Sequence, residues 1–213
     1  MEFGEEYFRR VYGDYYKKNP TYKFKAILKE IKKYKTGGKL LDIGCAHGKF
    51  IEVISNYQDN KFSLFGIDIS KYSIKIAEKI VPNAKLKVRS VEKTGFKNKE
   101  FDVVTLLDVI EHVHKLDKSL KEVKRLLKDD GIVVMIIPVY DGPFGKIVWI
   151  HDKDYTHIHK KSRKFWLNKL KQYFIILDWI GIIRYKFPFL YLHYQNKLFR
   201  KISPAIMLIL KKT

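Results

Sequence analysis

A chain of 213 residues, 46% of them hydrophobic, is long enough for one domain with a full core and excludes a disordered polymer. Its single cysteine, Cys45, excludes an intrachain disulfide, while the acidic, polar N-terminus and the lack of an apolar run of roughly 18–20 residues argue against a signal peptide or membrane span, so a cytoplasmic protein is expected. A net charge of +20 suits a bound anion, nucleic acid or an anionic lipid surface, but lysines spread along the whole chain would also arise from simple surface solvation.

Residues 1–35 mix aromatic and basic residues and end in a helix over Tyr22–Tyr34, whose apolar set Phe24, Ile27, Leu28 and Ile31 has helical spacing. Thr36-Gly37-Gly38 ends that helix. Lys39–Ile43 reads as a strand, followed by a glycine turn, a helix over about 49–57 and a strand over Leu64–Ile69. Ser70 caps a helix over about 71–81, which stops before Pro82. Strands follow at Leu86–Ser90 and at Phe101–Leu107, the latter apolar enough to be buried on both faces. Leu116–Leu127 is amphipathic, Asp129-Asp130-Gly131 reads as a turn, and Ile132–Ile137 is a buried strand stopped by Pro138. Residues 139–160 look like a long functional loop, Ser162 caps a helix over 163–172, and a strand follows at Phe174–Trp179, with Gly181 and an apolar piece from Ile182 after it. Alternating strands and helices imply a parallel sheet with right-handed crossovers.

The most informative stretch is Lys39-Leu-Leu-Asp-Ile-Gly-Cys-Ala-His-Gly-Lys-Phe50, a strand, a tight turn and a helix. Glycines at such a turn let a ligand approach bare backbone, and the turn aims free amides at it. Asp68, twenty residues past Gly48 at the end of the next strand, stands where nucleotide-binding folds place a carboxylate for ribose hydroxyls.

The order of these motifs over residues 22–181 resembles the small-molecule branch of the class I S-adenosylmethionine-dependent methyltransferases. Leu41-Asp-Ile-Gly-Cys-Ala-His-Gly48 looks like the family's first motif, Asp68 like its ribose acid, and Phe101-Asp-Val-Val-Thr-Leu-Leu-Asp-Val-Ile-Glu-His-Val113 like its fourth motif. Leu126-Leu-Lys-Asp-Asp-Gly-Ile-Val-Val-Met135, and Ser162–Leu170 with Tyr173-Phe174, match the elements that follow. The chain departs from the pattern at Ala46 (usually glycine), His47 (usually a small hydroxyl) and Ser90 (often an acid). Alanine is tolerable at 46 only at negative φ, and the His47 ring is expected to point to solvent.

The resemblance implies a Rossmann-like, doubly wound α/β fold with a mostly parallel seven-stranded sheet and flanking helices. Residues 1–35 form an N-terminal helical cap, 36–183 the core with a substrate loop at 139–160, and 184–213 a C-terminal aromatic and basic extension. It implies S-adenosylmethionine as cofactor, held by Asp42, Gly44, Ala46, Gly48, Asp68, Ile69, Ser90, Val91, Leu107 and Asp108. Methyl transfer then requires positioning and removal of the acceptor's proton. His112 and Glu111, with His157 and His159 from the loop, are the catalytic candidates, and His151 is a rival. Asp108, Glu111 and His112 converge at a strand end in a pattern able to ligate a divalent cation, as a similar acid-x-x-Glu-His element does in some methyltransferases, and a further histidine from Tyr155-Thr-His-Ile-His159 would complete the set. Glu111-His112 is equally a structural element, and no metal is assigned. His114 reads as a surface residue. The expected acceptor is a small molecule or lipid, methylated at oxygen. An RNA methyltransferase using the basic surface, or a noncatalytic cofactor- or lipid-surface-binding module, are the alternatives. The extension, with Tyr185, Phe187, Phe189, Tyr191, Tyr194 and Phe199 among its cations, suits a lid, a dimer surface or a peripheral membrane contact in a monomer or homodimer, and nucleic acid less well.

Overall fold

The computed structural model describes residues 4–7, 9–10, 15–145, 149–150, 152, 154–186 and 191–213. His151, Phe187 and Phe189 lie outside these. After short helical turns at Glu5–Tyr7 and Tyr15–Lys18 come helix α1 (Thr21–Lys32), strand β1 (Gly38–Ile43), α2 (Lys49–Ser55), β2 (Phe62–Asp68), α3 (Lys71–Ile80), β3 (Lys85–Val88) and β4 (Phe101–Leu107). Then follow α4 (Leu116–Leu126), β5 (Leu127–Pro138), α5 (Arg163–Lys171), β6 (Phe174–Lys186), β7 (Tyr191–Asn196) and β8 (Ala205–Lys212). Both expected serine caps are present: Ser70 Oγ accepts from Ser73 N at 3.1 Å and Ser162 Oγ from Phe165 N at 3.2 Å.

One sheet runs in the order β3-β2-β1-β4-β5-β8-β6-β7. β1, β2, β3, β4 and β5 pair in parallel, β8 is antiparallel to both β5 and β6, and β7 is antiparallel to β6. The fold is the expected doubly wound one, with eight strands instead of seven. The chain order reverses between β1 and β4, and a crevice for ligands opens there at the carboxyl ends of the strands.

Side-chain alternation divides the core. Leu41, Val104, Val133, Met135 and Leu208 pack on one face with Leu120 and Val123 of α4 and Trp166 and Leu170 of α5. Leu40, Val103, Val134, Ile136 and Met207 pack on the other with Phe24 and Ile27 of α1, Ile51 and Ile54 of α2, and Ile74 of α3. Strands buried on both faces need apolar residues at every position, which is why Ile132–Ile137 and Ala205–Leu210 read as unbroken apolar runs.

Three expectations change. The extension 184–213 contains β8, a strand inside the core sheet buried over Ala205–Leu210, because its apolar run fills both layers. Gly181 does not break β6. It lies within the strand, where a Cβ would come 2.5 Å from the Phe199 carbonyl carbon in the turn crossing it. Asp129-Asp130-Gly131 lies within β5 as a bulge: Phe101 pairs with Leu127 and Val103 with Ile132, setting extra residues on the β5 side.

Candidate active-site cleft

A cleft of about 260 Å³ opens over the carboxyl ends of β1, β2 and β4. Gly44, Ala46, Asp68, Ile69, Ser90 and Val91 line one end, and Asp108, Val109, His112 and Thr156 the other.

At the first end the glycine turn is bonded internally. Gly44 N and Cys45 N both donate to the Ile67 carbonyl, at 2.7 and 3.1 Å, and Gly48 N donates to the Cys45 carbonyl at 2.8 Å. Asp68 Oδ2 accepts from Ala46 N at 2.9 Å and Oδ1 from Ser70 N at 2.8 Å, tying the turn to the start of α3. The amides expected to face a ligand are thus mostly engaged within the protein. Burial raises the Asp68 carboxyl above its usual value, against the backbone hydrogen bonds from Ser70, Ala46 and Ile69. Each oxygen accepts one of the cross-loop bonds, and the side chain still lines the cleft.

Packing gives the two glycines a task beyond the expected one, and Gly44 does line the cleft. A Cβ on Gly44, at φ +73°, would lie 2.4 Å from Val109 Cγ2, and one on Gly48, at φ +76°, would lie 3.1 Å from the Ala77 side chain and 3.2 Å from that of Val81. Both serve close packing at left-handed backbone, and Gly48 does not reach the cleft. Ala46 has φ +46°, contrary to the negative φ expected of an alanine, so this turn carries a strained residue. His47 does not point to solvent: it is buried with its ring 4.4 Å from that of Tyr15 and 5.9 Å from that of Tyr72, and burial lowers its pKa.

Asp42 also stands behind the cleft. Its Oδ1 accepts from Thr105 Oγ1 at 2.6 Å, and burial pushes its pKa up to about 7. Leu107 turns to the opposite face and packs with the second core layer. Ser90 Oγ accepts from Glu92 N at 3.2 Å while facing the cleft. Asp108, at φ +58°, receives both terminal nitrogens of Arg184, at 2.5 and 2.8 Å, with Lys23 Nζ at 4.0 Å. Burial would raise the Asp108 carboxyl, but the Arg184 and Lys23 charges outweigh it and hold it low. Lys23, itself buried, is lowered to about 8, chiefly by burial.

The other end gathers distant segments. Glu111 is completely buried on the turn Ile110–His112, and its backbone carbonyl accepts from Ile158 N and His159 N, pinning the loop there. Burial and then the Asp108 charge raise its pKa. His112 lines the cleft, its Nδ1 2.8 Å from Thr156 Oγ1, and Thr156 Oγ1 donates to Asp154 Oδ1 at 2.5 Å. The rings of His112 and His157 stand 4.5 Å apart. His157 Nδ1 lies 2.8 Å from Asp152 Oδ2, which also accepts from Tyr140 Oη. Burial alone would lower His157; Asp152 and Glu111 outweigh it and raise the imidazole.

Of the four catalytic candidates His112 lines the cleft, whereas Glu111, His157 and His159 are not among its lining residues; His159 is turned elsewhere, its Nε2 bonded to the Val113 carbonyl at 2.8 Å and its ring edge-on to Trp166. His114 is both exposed and on the cleft rim. Asp152, Asp154, Thr156 and Tyr7, whose Oη donates to Asp154 Oδ2 at 3.1 Å, are partners missed from sequence. The alternation of polar residues Asp152, Asp154 and Thr156 before His157 is the signal that could have found three of them.

Residues 15–173 match the methyltransferase domain family. An uncharacterized protein of Methanocaldococcus jannaschii is 33% identical over 150 residues, covering 68% of this chain and 54% of its own length. The ubiquinone biosynthesis O-methyltransferase of Pelagibacter ubique is 39% identical over 99 residues, 45% of this chain and 40% of its own. The chain thus spans about half the length of the curated relatives it matches. A crystal structure of a Pyrococcus horikoshii protein shares the fold with a TM-score of 0.72 at 21% identity, over 98% of this chain and 99% of that one.

Proposed function

The chain belongs to the class I S-adenosylmethionine-dependent methyltransferases, and from that premise we propose that it methylates a small-molecule or lipid-like acceptor at oxygen. The cofactor supplies a methyl group already activated on a sulfonium sulfur. The residues of the first end fit its adenosyl part: Asp68 presents a carboxylate for ribose hydroxyls, while Val91 and Ile69, the latter 51% exposed, offer apolar surface for a base.

The observation that carries the oxygen assignment is the second end of the same cleft. His112 is presented there with carboxylates and a second imidazole behind it, so the proton an acceptor hydroxyl loses has titratable groups nearby. With the cofactor held at the first end, the chain would hold the acceptor hydroxyl toward the donated methyl group, and His112 would take the hydroxyl proton as the methyl passes to oxygen. The name of the Pelagibacter relative supports oxygen as target.

Incubation with labelled S-adenosylmethionine and separate pools of phenolic, lipid and RNA acceptors tests this reading. Label in the phenolic or lipid pool on oxygen is expected. Label confined to RNA, or cofactor binding with no transfer to any pool, overturns it.

A further inference from the structure

Glu111, His112 and His157 bring one carboxyl group and two imidazole nitrogens face to face. Neither oxygen of the wholly buried Glu111 carboxylate has a hydrogen-bond partner among the described residues. His112 Nε2 lies 4.0 Å and His157 Nε2 3.9 Å from Glu111 Oε1.

The far side of each ring fixes the tautomer. The Thr156 hydroxyl proton goes to Asp154, so Thr156 Oγ1 accepts from His112 Nδ1–H. Asp152 accepts from His157 Nδ1–H, a bond reinforced by Lys160 Nζ at 3.0 Å from the same carboxylate oxygen. In the neutral rings both Nε2 lone pairs then face the Glu111 side chain, and His157 Nε2 also lies 3.8 Å from Asp154 Oδ2, so that ring can bind a cation in place of its second proton. Ring nitrogens whose opposite N–H is held by a carboxylate, directly or through one hydroxyl, are oriented as in metal-binding histidines.

We propose that Glu111, His112 and His157 bind one first-row transition-metal dication beside the cleft. Their ligand atoms lie within 4.8 Å of one another. Tetrahedral ligands at about 2.0–2.2 Å from zinc sit about 3.4 Å apart, so the two imidazole–carboxylate separations, 4.0 and 3.9 Å, close by roughly half an ångström and the imidazole–imidazole one by at most about 1.4 Å. Two imidazoles and one carboxylate select zinc, cobalt or iron(II) over magnesium and calcium, which favour oxygen sets, and leave a fourth position open. Asp108 is not a ligand, because Arg184 occupies both its oxygens. A cation also supplies the positive charge that a buried, unbonded carboxylate lacks. His112 lines the cleft, so the site borders the expected place of the acceptor. Only the metal's part in activating an acceptor rests on the methyl-transfer reading; binding does not.

The chain, stripped with a chelator, is titrated with Co²⁺ and then with competing Zn²⁺. Visible ligand-field bands saturating at one equivalent and abolished by Zn²⁺ are expected. Glu111→Gln and His157→Gln should each weaken cobalt binding by about 100-fold or more, and Thr156→Val, which removes the hydroxyl linking His112 to Asp154 and leaves all three ligands in place, by about tenfold. Circular dichroism confirms that each variant is folded. Absence of bands in the parent overturns the proposal. So does equal affinity in folded Glu111→Gln and His157→Gln, or a Glu111→Gln chain that is more stable and indifferent to metal, the outcome of a proton held where the cation is proposed. S-adenosylhomocysteine affinity measured on the same samples keeps the two readings apart. Cobalt bands without that affinity support this site while removing the methyl-transfer reading, and affinity without bands does the reverse.

Discussion

The two ends of the cleft solve opposite problems. At the glycine-turn end, the turn and its neighbours are bonded internally: Asp68 accepts from Ala46 N and Ser70 N, Asp42 from Thr105, and the turn amides donate to Ile67 and Cys45 carbonyls. Internal bonds of this kind fix the shape of the turn, which lowers the ordering cost of binding. At the histidine end, the neighbours Glu111 and His112 meet His157 from a distant loop, and a carboxyl group and two ring nitrogens face one another. One end is held by satisfied hydrogen bonds; the other keeps a buried carboxyl group without a hydrogen-bond partner among the described residues.

The largest expected effect comes where the two ends touch. In Gly44→Ala, the added methyl meets Val109 at 2.4 Å and the residue keeps φ +73°. A loss of about 2–4 kcal/mol in urea-unfolding stability is expected. An unchanged midpoint would mean that Val109 moves freely and that the ends are not coupled through it.

The pH dependence of stability comes next. Asp42 has a folded pKa of about 7 against an ordinary 3.8, so the native chain holds a proton that the unfolded chain releases. Its contribution to stability is full below pH 4 and is lost as pH rises toward and through 7. Between pH 5 and 8 the parent should lose on the order of 1–3 kcal/mol that Asp42→Asn does not. Parallel stability–pH curves for the two chains would remove Asp42 as the cause.

The smallest effect has the opposite sign. Ala46→Gly relieves an alanine at φ +46° and should stabilise the chain by about 0.5–1 kcal/mol, read as a higher thermal midpoint. A lower midpoint would show that the Ala46 methyl packs to more effect than its backbone strains.

These variants also mark what the sequence made legible. The donor end was readable because its glycine turn and Asp68 lie within one short stretch with fixed spacing. The task of its glycines was not, since Val109, Ala77 and Val81 approach them only through tertiary packing. His47 was misread for the same reason: Tyr15, Tyr16 and Tyr72, which surround it, are scattered along the chain. Glu111, His112 and His157 were visible as residue types, but His159 could not be told from His157, because the two differ in what their far nitrogens meet. β8 was set apart as an extension although its apolar run matches that of β5; only its insertion between β5 and β6 gives the run two layers to fill.

The most direct measurement is a calorimetric titration of S-adenosylhomocysteine into the parent chain and into Asp68→Ala. One site is expected in the parent, weakened by about 1–3 kcal/mol in the variant through loss of hydrogen bonds to a charged group. No binding to the parent, or equal affinity in both chains, would contradict the assignment of this cleft.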